Sequence, residues 1–446
     1  MARKKWRGFS SSQVIMIGFL IAIILGTLLL MLPFASKEAG SAPFADALFT
    51  ATSAVCVTGL VVQDTATYWT TFGHVIIILL IQIGGMGFIT FALAFSMISG
   101  RKIGLKQRNL MQDSISAHQL GGIVKLTGFI IKMTAAIELL GAALMSPVFM
   151  KEYGIVKGLG YSLFHSISAF CNAGFDLMGY KGKFSSLTSY EGNILLNFAL
   201  VLMIVLGGLG FLTWNDIITN KHHWRKYKMQ SKVIIVTTSI LFIVPAIIFF
   251  FFEFNNIGLN TKDRILGSIF MSVTARTAGF NTLDFSLMSE AGLALMIFLM
   301  LIGGAPGSTA GGMKVTTPAV MFSNMIAVFR KRSATSFFGR RIDNDVVCNA
   351  ATIVTMYITL FVTGGCLISR IDALPLGECL FETASAVATV GVTMGITPQL
   401  SLASRAIIIV LMYLGRVGGL TIVFATVAEN SADKFSRLPQ EKLTVG

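Results

Sequence analysis

Four short stretches of the 446-residue chain have the composition and spacing of a coordinating site: LFTATSAVCVTGL from Leu48, LFHSISAFCNAGF from Leu163, IFMSVTARTAGF from Ile269 and LFETASAVATVGV from Leu380. Each joins an apolar pair, a turn rich in Ser, Thr or Ala, and a Gly followed by an apolar residue. The interval from Phe to Gly is ten residues in Phe49 to Gly59, Phe164 to Gly174 and Phe381 to Gly391, and nine in Phe270 to Gly279. No acid or base recurs among them. What recurs is a glycine-ended turn, and such turns offer backbone carbonyls. Carbonyl oxygens from four turns around one axis replace the hydration shell of a monovalent cation. Glycine permits the positive φ that turns a carbonyl inward and places no Cβ in the passage. The chemistry implied is coordination, with the dipole of each preceding half-helix aimed at the cavity.

Catalytic chemistry has no comparable support. His74, His118, His165, His222 and His223 lack metal-ligand spacing, and Cys56, Cys171, Cys348, Cys366 and Cys379 form no C-x-x-C pair. The apolar runs hold no His/Asp/Glu cluster, phosphate loop or nucleophile–base pair, so a membrane enzyme is the weakest reading. No bound cofactor is expected.

Composition decides what surrounds the four turns. Apolar residues make up 54% of the chain and charged residues 13%, with a mean hydropathy of +0.75. Too little polar side chain is present to cover a soluble globule of this size. Apolar runs at about 14–33, 74–98, 123–149, 194–218, 233–252, 291–328, 346–368 and 406–428 are each long enough to cross about 30 Å of hydrocarbon. The stretches 44–60, 160–175, 264–280 and 376–392, which hold the four turns, are too short to cross and read as re-entrant. The run from Val14 to Leu32 follows a basic leader, but its length fits a retained span better than a cleaved signal.

The net charge of +14 is confined mostly to clusters between apolar runs or at chain ends. These are Arg3 to Arg7, Arg101–Arg108, Lys221–Lys228, Arg330–Arg332 with Arg340–Arg341, and Lys434–Lys442. This positive-inside pattern needs no nucleic acid to explain it, and it places both termini in the cytoplasm and the re-entrant segments on the outer side.

One span before and one after each turn makes four copies of a unit, over 1–119, 120–229, 230–341 and 342–446. The spans after the turns repeat too: IGGMGFIT from Ile83 and LGGLGFLT from Leu206 correspond, with LIGGAPGSTAGGMKV from Leu301 and LGRVGGLTI from Leu414 in the same place. The expected fold is an all-α integral membrane protein with eight transmembrane helices, its span–re-entrant–span repeats surrounding one pore. The runner-up mechanism, a sodium- or proton-coupled transporter with alternating access, generally uses inverted repeats.

These repeats, over nearly the whole chain, resemble the TrkH/KtrB/plant high-affinity potassium transporter superfamily, and its KtrB branch in length. The resemblance implies that Gly59, Gly174, Gly279 and Gly391 are filter glycines. The carbonyls of Val57 and Thr58, Asn172 and Ala173, Thr277 and Ala278, and Thr389 and Val390 then line a filter for potassium ion. Plant members that favour sodium carry Ser at the first glycine, so Gly59 implies potassium as the substrate, with sodium a candidate activator. The resemblance also implies a homodimer on a cytoplasmic KtrA-like nucleotide-binding ring, with the basic loops as contacts to that ring and to membrane lipid.

Two further features bear on mechanism. In the third unit the second span is interrupted by Gly303, Gly304, Ala305, Pro306, Gly307, Ser308, Thr309, Ala310, Gly311 and Gly312. Pro306 removes a donor and disfavours helix at Ala305, and the glycines add backbone entropy. The expectation is an intramembrane loop obstructing the path below the filter, as the KtrB resemblance also implies. Arg416, about eleven residues beyond Arg405 and near mid-membrane, is expected to donate to that loop's carbonyls. Arg276 reads equally as a structural charge behind the filter or as a functional one, with Asp46 or Glu382 of other pore segments as the expected partner. Lys132 and Glu138 are given packing or interfacial roles.

Overall fold

The computed structural model describes residues 10–38, 40–88, 90–91, 104–114, 122–254 and 259–419. Its helices follow one pattern four times. In the first unit α1 (Ser11–Leu30), α2 (Phe44–Cys56) and α3 (Thr71–Met86) are a long helix, a short one and a second medium helix. The second unit has α4 (Ile123–Tyr153), α5 (Ile155–Phe170), α6 (Ile194–Gly208) and α7 (Phe211–Asn220). The third has α8 (Met229–Ile248, continued by a π-helical turn to Glu253), α9 (Thr261–Thr274), α10 (Glu290–Leu301) and α11 (Thr316–Phe329). The fourth has α12 (Asn344–Asp372), α13 (Leu376–Val387) and α14 (Leu402–Val417). A helix over Leu105–Ser114 links the first two units.

Local sequence explains these boundaries. The helix after each turn starts at a hydroxyl or amide cap whose side chain accepts an amide three residues on: Thr70 from Gly73, Asn193 from Leu196, Ser289 from Gly292 and Ser401 from Ser404. Pro43 and Pro375 precede α2 and α13, fixing their entry where no N–H is needed. The short helices α2, α5, α9 and α13 are buried toward their C-terminal ends. The long helices keep an exposed apolar face, for example Leu25, Leu140, Ile243 and Val362, as lipid-facing helices do.

The eight expected spans are realised unequally. Among the described residues the four first helices, α1, α4, α8 with its π-turn, and α12, are long and apolar enough to cross a membrane unaided. The second helices are interrupted. Gly87, Gly210 and Gly418 stand at equivalent breaks with φ/ψ of 83/135°, 84/141° and 88/140°, angles that only glycine adopts readily. At the second of these, α6 and α7 diverge by 97°. The span 194–218, expected without a break, is therefore corrected to a broken one, while 291–328 opens between Leu301 and Thr316, where its glycines and Pro306 led to an interruption being expected. Residues 92–98 and 420–428 of two further expected spans, and the basic clusters at both chain ends, lie outside the described residues. A second amendment is a hairpin, β1 (Ser336–Phe337) with β2 (Arg340–Arg341). Its two central residues, Phe338 and Gly339, both have positive φ, at 48° and 76°, the geometry of a tight hairpin turn.

Candidate cation filter and the loop beneath it

Each short helix ends in the same turn. Val57, Asn172, Thr277 and Thr389 are left-handed, with φ of 57°, 58°, 70° and 53°. Each stands two residues before a glycine that also has positive φ: Gly59, Gly174, Gly279 and Gly391. Four non-glycine residues held in this region imply that the surroundings over-determine the turn. The intervening amides bond back to the helix: Thr58 to the Ser53 carbonyl at 2.8 Å, Ala173 to Ser168 at 2.8 Å, Ala278 to Thr274 at 3.1 Å and Val390 to Ser385 at 2.8 Å. The third unit's shorter interval is thus taken up between Thr274 and Thr277, and its glycine end keeps register with the other three.

Ser53, Ser168, Thr274 and Ser385 also lend side chains, a role the sequence did not single out. Ser53 and Ser385 accept the Gly59 and Gly391 amides at 3.0 Å each. Ser168 donates to the Phe175 carbonyl at 2.7 Å, and Thr274 donates to the Phe280 carbonyl. Their signal was a hydroxyl six residues before the glycine in three units and five before it in the third. Amides occupied in this way leave the turn's carbonyls free to coordinate.

The four turns close on one another in chain order. A methyl group on Gly59 would stand 2.5 Å from the Ala173 carbonyl oxygen, one on Gly174 3.0 Å from that of Ala278, and one on Gly279 2.8 Å from that of Val390. A methyl group on Gly391 would collide with the Thr58 carbonyl oxygen, completing the circuit. Every glycine thus faces the residue before the next unit's glycine. Behind the ring, Gly84, Gly207 and Gly415 lie against the carbonyls of Val55, Phe170 and Val387, leaving no room for a side chain. The repeated IGG, LGG and LGR strings supply these close approaches.

The third unit differs, because its span opens directly beneath the ring. Gly303 N–H donates to Met313 O at 2.8 Å and Val315 N–H to Gly304 O at 2.9 Å, cinching the loop's base. Ala305 N–H reaches Gly208 O at 2.9 Å, and Phe211 N–H reaches Gly307 O at 2.8 Å, so the broken α6–α7 span holds the loop's first half. Thr309 Oγ1 donates to Phe170 O at 2.8 Å and accepts from Asn172 Nδ2 at 3.0 Å. Gly311 sits against Thr389, and a methyl group on Gly312 would be 2.7 Å from Ala388 O.

Arg416 reaches across this assembly. It donates to Thr309 O at 2.6 Å, to Gly85 O at 3.2 Å and to Gly84 O, tying the fourth unit to the first and third. Lys314, which sequence reasoning passed over, donates from Nζ to Ala310 O at 2.8 Å. Its one signal was a lysine two residues after Gly312, at the start of an otherwise apolar run. Both side chains line a cavity of about 240 Å³ under the loop, whose lining among the described residues includes no carboxylate. A cation about 4 Å from either charge would be repelled by about 4 kcal/mol at an effective dielectric of about 20.

Arg276 requires a correction. It pairs with neither Asp46 nor Glu382; it donates to Gly303 O at 2.9 Å, and its guanidinium lies 4.7 Å from the centre of the Phe242 ring. Both carboxylates are engaged elsewhere: Asp46 with Arg405 at 3.0 Å, and Glu382 with Thr393 at 2.7 Å and with Thr397. Glu138 also exceeds a plain packing role. Gln82 Nε2 donates to it at 3.0 Å, and Gln82 Oε1 faces Cys171 Sγ at 3.6 Å, next to Asn172. Lys132 is exposed. His165 is buried between the Tyr161 carbonyl and the Leu177 amide.

Residues 7–438 match the family described as TrkH, cation transport protein. The chain is 40% identical to the potassium/sodium uptake protein NtpJ of Enterococcus hirae, over 100% of this chain and 99% of that one. It is also 40% identical to the Ktr system potassium uptake protein B of Bacillus subtilis, over 94% of each, and 34% identical to that of Vibrio alginolyticus, over 95% and 92%. Its fold matches the potassium transporter TrkH of Vibrio parahaemolyticus with a TM-score of 0.72 at 19% identity, covering 96% of this chain and 87% of the other. With the match extending over nearly its whole length, the chain belongs to the TrkH family of cation transport proteins.

Proposed function

We propose that the chain takes up potassium across the cell membrane through one channel-like pore, whose filter is the ring of Gly59, Gly174, Gly279 and Gly391 and whose gate is the 303–312 loop. The observation that carries this reading is the closed circuit of glycine-to-carbonyl contacts, one per unit. A hydrated ion arriving from outside exchanges water for carbonyl oxygens of the residues from Val57 to Gly59 and their three counterparts. Past the ring it meets the loop and the basic side chains of Arg416 and Lys314, so conduction requires the loop to leave. Arg416, Lys314, Arg276 and the α6–α7 break hold it in place. Potassium as cargo is further supported by the names of the 40%-identical relatives.

A second reading, that sodium also passes or activates, is favoured by the printed name of the Enterococcus hirae relative. Coupled alternating access has no such support, since the four units repeat in one orientation. Release of the loop falls to a cytoplasmic nucleotide-binding ring of the KtrA kind, docked on a homodimer through the basic loops, with both termini of each chain on that side. Purified chain in liposomes with a steep inward potassium gradient is expected to take up potassium in preference to sodium. Passage of neither ion, with the regulator present, would overturn the proposal.

A further inference from the structure

Outside the filter and gate, the described residues concentrate uncompensated charge at one place. The linker before α8 and the β1–β2 hairpin enclose a pocket of about 380 Å³ lined by Arg225, Lys226, Lys228, Lys232, Arg340 and the Phe338 ring, with no carboxylate in its wall. The ion pairs among the described residues, Lys181–Glu152 and Arg405–Asp46, lie elsewhere. Asp216, behind the linker, is committed to the Lys228 amide at 2.9 Å and to Asn220 at 2.6 Å.

The walls are fixed. Lys232 Nζ donates to Arg225 O at 3.2 Å and stands 5.9 Å from the centre of the Phe338 ring. The hairpin is fastened to α11 by Ser323 to Ser336 O at 3.2 Å and Thr335 to Asn324 at 2.9 Å. Met229, Met321, Phe337 and Ile342 pack together beneath it. The level is informative too. The pocket lies at the first turn of α8, whose apolar run of mean hydropathy 2.8 is long enough to cross a membrane, and exposed Trp224 and half-buried Tyr227 adjoin it. Amphipathic rings at a span's end mark the headgroup zone, where basic pockets meet anionic lipid.

We propose that this pocket binds the phosphate head of an anionic phospholipid, with the guanidinium of Arg225 or Arg340 and the ammonium of Lys232 as ligands to the phosphate oxygens. The site bridges the linker between the second and third units and the helix that leaves the 303–312 loop. It depends on α8 spanning the membrane, not on the filter or the gate. The test is native mass spectrometry of the full chain in detergent, titrated with phosphatidylglycerol or phosphatidylcholine.

Phosphatidylglycerol is expected to be retained in preference. The triple variant Arg225→Gln, Lys232→Gln, Arg340→Gln should lower that retention about tenfold without changing phosphatidylcholine. Arg225→Lys, Lys232→Arg, Arg340→Lys should keep it, and so should the equally charge-stripped control Lys157→Gln, Lys183→Gln, Lys262→Gln. Equal loss in the control, or no preference over phosphatidylcholine, would overturn the site. Displacement by millimolar inorganic phosphate as readily as by added lipid would assign it to the free anion instead. Unchanged retention in the Gln variant, with loss of binding to an acidic regulatory protein, would assign the charges to that protein and overturn the lipid site.

Discussion

At the residue scale the account rests on glycines and one arginine. Gly59→Ser would set a Cβ 2.5 Å from the Ala173 carbonyl oxygen and 3.1 Å from Gly174 Cα, in a backbone at φ 96°. Either the turn shifts or the carbonyl rotates, and each alters the oxygen cage. Potassium uptake is expected to fall and discrimination against sodium to drop several-fold, read as paired uptake of the two ions in liposomes. Arg416→Ala removes three donated hydrogen bonds to Thr309, Gly84 and Gly85, a loss of several kcal/mol of loop anchoring. Basal flux without the regulator is expected to rise at least tenfold. Lys314→Met should raise it less, since it removes one bond to Ala310 together with one charge. In a Lys314→Cys chain a cationic thiol reagent should suppress flux and an anionic one should not.

The element scale shows what was legible in the chain and what was not. Period, turn composition and terminal glycine disclosed the four short helices, because each device is local. The hydroxyl caps of α3, α10 and α14 and the amide cap of α6 are equally local devices. The loop over 303–312 was readable from Pro306 and its glycines, since helix propensity alone forbids a helix there. The Gly87, Gly210 and Gly418 breaks were not, because single glycines are common inside membrane helices, and only the neighbouring turns make these three bend. Arg276 was misassigned because pairing by charge ignored a nearer backbone carbonyl at Gly303. A deletion within 303–312 that spares Lys314 should leave the membrane-inserted fold intact and raise basal flux. Insertion with wild-type flux would show that the loop is not the gate.

For the whole molecule the decisive feature is closure between its first and last units. Gly391 meets Thr58 at the ring, Arg405 pairs with Asp46 at 3.0 Å, and Tyr413 donates to Met16 O at 2.9 Å. Each contact is between residues more than 300 positions apart in the sequence, so one chain does what four subunits would otherwise do. Arg405 also donates to Leu400 and Pro398 carbonyls at 2.9 Å each. Arg405→Met is expected to destabilise the seam by about 2 kcal/mol, part of the pair's energy being screened by solvent, and to lower the thermal midpoint in detergent while leaving selectivity nearly intact. The central claim is that all four glycine turns form one selective path, and a bi-ionic recording tests it most directly. With the loop shortened so that no regulator is needed, a planar bilayer holding potassium on one side and sodium on the other should give a reversal potential favouring potassium. Adding Gly59→Ser or Gly391→Ala should each move that potential toward zero. A reversal potential near zero before those substitutions, or one unmoved by either, would contradict the account.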